Sequence, residues 1–218
     1  MKNNEITNPG ELEDAVQKTG FLPFFRNAVG GFSLEERCPR RLWFTSEPGP
    51  WEWKGPVVRG RKCAYGKFFR GKAVYVSLQM LPHLCNYRRD GYDFDARCDD
   101  GLVFYRDREI YETIAEHGSI SSKELRRIVP GDDTDKYLTR LQMQTYIVTE
   151  DFYYEKDKNG KEYGWGVARY ATLEYVFGKD AVRSAYGVSP EESFKIMKET
   201  ILAHFPGADP DKVAKLIK

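Results

Sequence analysis

Three observations predict an α+β protein. Residues 109–170 show two short helical patterns, a third longer one, and two alternating stretches around Asn159-Gly160. Residues 63–78 hold a second strand pair, and both ends of the chain carry helix-start signatures. The first block has the order of a winged helix-turn-helix. Its first helix is predicted from about Arg108 to His117, with Ile110 and Ile114 on one face and Gly118 as the stop. Ser121 or Ser122 caps a second over Lys123 to Val129. Pro130-Gly131 breaks the chain, and Asp133 or Thr134 opens the third helix, which turns Leu138 and Leu141 inward. Tyr146 to Glu155 and Glu162 to Tyr170 read as the wing strands, and Asn159-Gly160 is the strongest turn signal in the chain.

The flanks are predicted in the same way. Asn8 as cap, Pro9 at the first position and Glu11 three residues after the cap start a helix that carries Leu12, Ala15 and Val16 on one face and ends at Gly20. Phe21-Leu22-Pro23-Phe24-Phe25 reads as a packed, proline-interrupted stretch without regular structure. Residues 37–90, rich in aromatics and turn formers, are expected to form a small sheet. Its clearest strand pair is Cys63 to Phe69 with Lys72 to Leu78, joined by Arg70-Gly71. Asp90-Gly91 and Asp100-Gly101 bracket an acidic loop. Ser189-Pro190-Glu191-Glu192 and Asp209-Pro210 open two closing helices, the first with Phe194, Met197, Ile201 and Leu202 inward, the second with Val213, Leu216 and Ile217. The expected organisation is an N-terminal helix with a small aromatic-rich β-sheet over 1–104, a winged-helix domain over 105–172, and C-terminal helices packed on the core over 173–218. With no internal repeat or flexible linker, these parts are expected to form one body.

Composition narrows the function. At 41% hydrophobic and 31% charged, the chain reads as a globular protein, and no apolar run approaches the roughly 20 residues of a membrane helix. No apolar segment follows Met1-Lys2-Asn3-Asn4-Glu5, so a cytoplasmic location is expected, with no membrane partner. A net charge of +1 excludes a diffuse electrostatic sponge for nucleic acid but allows a local basic face. Cys38, Cys63, Cys85 and Cys98 form no C-x-x-C pair and read as buried thiols; no metal and no cofactor is expected. With three histidines and no glycine-rich phosphate loop before a helix, hydrolase, kinase and nucleotide-dependent readings have no motif to stand on.

The third helix of the winged-helix pattern carries the main binding candidates. With Leu138 and Leu141 inward, Lys136, Thr139, Arg140 and Met143 face out, flanked by Gln142 and Gln144. Lys, Arg and Gln are the side chains that read base edges and phosphates in a major groove. Lys156, Lys158 and Lys161 on the wing would add phosphate contacts. Double-stranded DNA is therefore the expected partner, and a solvated face or a protein-docking surface the alternative. Trp51, Trp53 and Tyr65, interleaved with basic residues, are candidates for base stacking, against the plainer reading that tryptophans in a small sheet are core. Glu52, between two tryptophans, is a candidate catalytic acid because burial would raise its pKa. The carboxylates of Tyr92-Asp93-Phe94-Asp95 and Asp99-Asp100 lack the spacing of a calcium loop and read as solvated turns.

Longer strings carry a resemblance. Gly20 to Phe25, Gly31-Phe32-Ser33-Leu34-Glu35-Glu36, Leu42-Trp43-Phe44, Gly49 to Pro56, Ala64 to Phe69, Tyr87 to Asp95, Leu141 to Tyr146 and Gly164 to Tyr170 together resemble the bacterial AlkZ-related proteins over most of the chain. The resemblance implies kinship to winged-helix DNA glycosylases, which remove alkylated bases and unhook crosslinks. Those enzymes share a Gln-x-Gln or Gln-x-Asp motif that sets a water against the glycosidic bond, a form matched by Gln142-Met143-Gln144. In the glycosylases that motif lies nearer the N-terminus and the chain is longer; here it closes the third helix. Residues two apart on a helix point about 200° from each other, so both glutamines reach one water only if the helix ends between them. The expected function is DNA binding in repair or regulation. If the protein is an enzyme, the resemblance implies a monofunctional DNA glycosylase using Gln142, Gln144 or Glu52; a protein-interaction scaffold is the third alternative.

Overall fold

Helix starts encoded in local chemistry appear where the sequence places them. The computed structural model describes residues 5–45, 47–156, 158–160 and 162–218, with the main chain alone at 155, 156 and 162–165. Asn8 Oδ1 accepts from Glu11 N at 3.0 Å, and α1 (Pro9–Thr19) buries Leu12, Ala15 and Val16 before Gly20, at φ +77°, stops it. The next stretch, expected to be irregular, begins with strand β1 (Phe21–Pro23), whose residues lie opposite Val76, Tyr75 and Val74. Pro23 is tolerated because β1 is an edge strand, where a missing N–H costs no ladder bond on the open side. A short helix, α2 (Leu34–Arg37), follows under a Ser33 cap.

The tryptophan-rich segment, expected in a sheet, folds as helix α3 (Pro50–Arg59). Glu52 Oε2 accepts from Gly49 N at 2.8 Å, Pro50 occupies the first turn, and Trp53, Val57 and Val58 face inward at helical spacing. Pro56 is compatible because it falls on the exposed face together with Glu52, whose carbonyl it leaves without a helical donor. Strands β2 (Cys63–Phe69) and β3 (Lys72–Ser77) form the expected hairpin. Its turn residues Arg70 and Gly71 both have positive φ, +50° and +72°, which a two-residue turn needs to match strand twist. The first sheet has the order β1-β3-β2.

Helices α4 (Leu81–Arg89) and α5 (Phe94–Asp99) come next, the latter inside the segment expected to be an acidic loop. Burial of Phe94, stacked at 3.6 Å on Tyr111, holds α5 in place while Asp95 and Asp99 stay exposed. Then follow α6 (Tyr105–His117), β4 (Ser119–Ser121), α7 (Ser122–Ile128), α8 (Thr134–Met143), β5 (Ile147–Lys156) and β6 (Glu162–Thr172). Their sheet has the order β4-β6-β5. Helices α9 (Leu173–Phe177), α10 (Lys179–Arg183), α11 (Pro190–His204) and α12 (Pro210–Ile217) close the chain, the last two at the predicted cap-and-proline sites.

The alternation of side chains along β1 to β3 sorts the core. Phe21, Phe68, Val74 and Val76 pack under Leu84, Met197, Ile201, Val213 and Ile217, so the C-terminal helices lie on the first sheet. Leu22, Tyr65 and Tyr75 face the other way, toward Leu12, Val16, Trp53 and Val57. A third cluster joins Ile110, Ile114, Leu125, Leu138, Leu141 and Ile147. Strand β5 sutures the halves, because Val148 belongs to the first cluster and Phe152 to the second. Among the described residues, no helix is long and apolar enough to cross a membrane, and no group of His, Cys, Asp or Glu is arranged to hold a metal ion.

Candidate nucleic-acid interface

Helix α8 is amphipathic by its sequence, and that decides what it shows to solvent. Leu138, Leu141 and Gln142 are buried, while Lys136 is exposed and Thr139, Arg140 and Gln144 are half-buried. Its outer side forms one wall of a cleft of about 750 Å³ whose opposite wall is Lys67 of β2, Arg88 of α4 and Arg97 of α5. Five of the charged groups lining it are cations; the sixth, Asp135, is paired with Arg126 at 2.6 Å.

Four of the five cations are each held by a different device, and Lys136 is exposed. Lys67 N donates to Gln142 Oε1 at 3.0 Å and Lys67 Nζ donates to Thr139 Oγ1 at 3.2 Å, so β2 is tied to α8 along the cleft floor. Arg88 donates to the carbonyls of Phe68 at 3.1 Å, Lys218 at 2.7 Å and Ile217, which fixes the end of α12 beside β2. Arg140 makes a two-point pair with the buried Asp107, Nε to Oδ1 at 3.1 Å and Nη2 to Oδ2 at 2.7 Å, and lies over the Phe104 ring at 4.4 Å. Arg97 sits over the Tyr92 ring at 5.9 Å. Lys67, Arg88, Arg97 and Lys136 have no side-chain carboxylate within ion-pair reach among the described residues, so no side chain neutralises their charge.

The structure therefore brings together Lys136, Thr139, Arg140 and Gln144 from the sequence analysis. Lys158 is exposed at the tip of the β5–β6 turn; the side chain of Lys156 and the whole of Lys161 lie outside the described residues. Gln142 is 1% exposed, and its amide is taken at both ends: Oε1 by Lys67 N and Nε2 by Leu138 O at 3.0 Å. Gln144, by contrast, lines the cleft, so the two glutamines face different surroundings.

The aromatic candidates lie elsewhere. Trp53 is 4% exposed and donates to Pro48 O at 2.9 Å, and Tyr65 is buried against Tyr75 at 4.6 Å. Half-buried Trp51 packs on Phe24 and Trp43, and none of the three lines the cleft. Glu52 is exposed and caps α3, so the burial expected to raise its pKa does not occur. What the aromatics enclose is Lys54, with Nζ 4.5 Å from the Phe152 ring centre and 5.0 Å from that of Trp51. Burial pushes its pKa down to about 8.

Arg88 and Arg97 are the residues that sequence reasoning missed. Arg88-Arg89 at a helix end carried a usable signal, since adjacent helical residues point about 100° apart. Arg88 turns to the cleft, whereas Arg89, 1% exposed, bonds Glu174 Oε1 and Thr145 O, each at 2.5 Å. Thr145, at φ +62°, is thereby held in the turn that delivers Gln144 to the cleft.

The family model described as AlkZ related matches residues 6–218. No curated protein and no solved structure matches the chain.

Proposed function

The chain belongs to the AlkZ-related family, and from that premise we propose that it is a winged-helix protein that binds duplex DNA through the α8 cleft in a repair setting. The order α6-β4-α7-α8-β5-β6 with the sheet β4-β6-β5 supports a winged helix in which α8 is the recognition helix and β5–β6 the wing. The observation that carries the reading is the cleft itself: four cations without a side-chain carboxylate partner among the described residues line one opening in a chain whose net charge is only +1. Such a concentration fits a row of phosphates, with Lys136, Thr139, Arg140 and Gln144 placed to meet base edges and Lys158 to reach the backbone from the wing. In this reading Gln142 is the bracket between β2 and α8, since neither end of its amide is open to a water. The test is fluorescence anisotropy of a labelled duplex across a salt series. Four phosphate contacts give log affinity a slope of about −3 to −4 against log salt, and Lys67→Glu with Lys136→Glu makes it shallower by about 2. Absence of binding at low salt overturns the reading and leaves protein docking as the use of the cleft.

A further inference from the structure

A second cleft, of about 600 Å³, opens on the other side of the β2–β3 turn. Its floor is apolar, built from Pro23, Phe69 and Leu216, and at its edge the Phe25 ring is 40% exposed, backed by Phe24 and Trp51. Every charged residue that lines it is a cation: Arg26, Arg70, Lys72, Lys212 and Lys215. Arg26 lies 3.8 Å from Glu36 with most of its side chain in solvent; the other four have no carboxylate within ion-pair reach among the described residues.

The two clefts are neighbours. The turn that carries Arg70 into the second cleft leans on the wall of the first, since a Cβ on Gly71 would stand 3.3 Å from Thr139 Cγ2 and 3.9 Å from Met143 Sδ. Arg88 belongs to the first cleft and bonds the carbonyls of Ile217 and Lys218, which anchors α12, the helix that supplies Lys212, Lys215 and Leu216 to the second. Basic surface thus continues from one opening to the other across the hairpin tip.

The linings of the clefts differ in a way that selects their ligands. The second pairs unmatched cations with an apolar floor and an open aromatic ring, the combination that holds an unpaired nucleic-acid strand, whose bases offer flat faces and whose backbone supplies phosphates. A duplex hides those faces within its stack. A run of acidic side chains would satisfy the rim and leave the floor and Phe25 uncovered. We propose that the second cleft binds a single strand continuing out of the duplex held in the first, so that the protein recognises a junction between duplex and single-stranded nucleic acid, with the Arg70-Gly71 turn at the branch. This rests on the duplex reading given above.

The experiment compares a blunt labelled duplex, the same duplex with an oligothymidine overhang, and oligothymidine alone, on the full chain and on Phe25→Ala and Lys72→Glu/Lys215→Glu variants, all three substitutions being at exposed positions. The expected result is an affinity about tenfold tighter with the overhang, of the order of one stacked base. Both variants are expected to lose that gain and to keep the affinity for the blunt duplex. Equal affinity with and without the overhang, or variants that keep the gain, overturns the junction proposal and leaves the duplex reading standing. Binding of oligothymidine without binding of the blunt duplex overturns the duplex reading and, with it, the junction. Oligoglutamate is titrated as a fourth probe, and its binding as tightly as oligothymidine assigns the cleft to an acidic peptide and overturns the proposal too.

Discussion

Lys54 is an ammonium surrounded by aromatic rings, and its cost is measurable as a pH dependence of stability. Burial lowers its pKa from an ordinary 10.5 to about 8, and the nearby Glu52 charge offsets only part of that. Below the folded value both native and unfolded chains hold the proton, so stability does not change with pH on this account. Between the two values the native lysine has released its proton while the unfolded one keeps it. The unfolded state then binds more protons, and stability rises with pH. The full difference corresponds to about 3 kcal/mol, of which about 1 kcal/mol is gained between about pH 7 and about pH 9. Lys54→Met keeps the length and apolar contacts of the side chain and removes the proton. Urea unfolding of both proteins at the two pH values gives a double difference, and the advantage of the methionine variant should shrink by about 1 kcal/mol toward the alkaline end. Cys63, pushed up to about 12 by burial, and Cys38 and Cys85, each raised to about 11, titrate in the opposite sense, losing stability above their ordinary 9.0, but do so in both proteins and cancel. A double difference of zero would refute the burial argument. A lysine held as a cation by the aromatic faces would also give zero, because with a folded pKa at or above the ordinary 10.5 it keeps its proton in both states across this window.

Substitutions at Gln142, at Arg89 and at Arg140, the last two with changes to their partners, test how the cleft is held. Gln142→Ala leaves the Lys67 N–H without its side-chain acceptor and should lower stability by about 1–3 kcal/mol in denaturant unfolding. Arg89→Met leaves the half-buried Glu174 carboxylate and the buried Thr145 carbonyl without their partner and should cost about 3–5 kcal/mol, with Glu174→Gln milder. Arg140→Met strands the buried Asp107 carboxylate and should destabilise by a similar amount at neutral pH; the loss should shrink when Asp107 is also changed to Asn, which a double-mutant cycle reads directly.

Where structure follows from a few adjacent residues, the sequence was legible. Asn8-Pro9, Ser189-Pro190 and Asp209-Pro210 announce their helices because cap and first-turn chemistry are local, and Arg70-Gly71 announces its hairpin for the same reason. Helix α3 was not legible, because tryptophan, proline and glycine dominate its composition. What makes it helical is the Glu52 cap and the burial of Trp53, Val57 and Val58 against α1 and the first sheet. Strand β1 and helix α5 likewise depend on distant partners, Val74 to Val76 for one and Tyr111 for the other. Half of the cleft was visible as the outer face of α8. Its facing wall was not, since Lys67, Arg88 and Arg97 reach it from three elements that only the folded chain brings together.

Net charge was a poor guide for a related reason. Lys and Arg number 34 against 33 Asp and Glu, but the two clefts are lined by ten cations and one carboxylate. With a total of +1, an excess of nine in the clefts requires an excess of eight carboxylates over the rest of the chain. Opposite charges are thus segregated, and segregation acts on a polyanion in two ways. Walls of low dielectric focus the positive field into the openings, while most other approaches meet a net negative surface. In the proposed reading affinity then comes chiefly from the clefts, whereas repulsion elsewhere suppresses the nonspecific adhesion that a uniformly basic protein would show. For the proposed function, this distribution favours moderate binding confined to one face over tight binding anywhere along a nucleic acid.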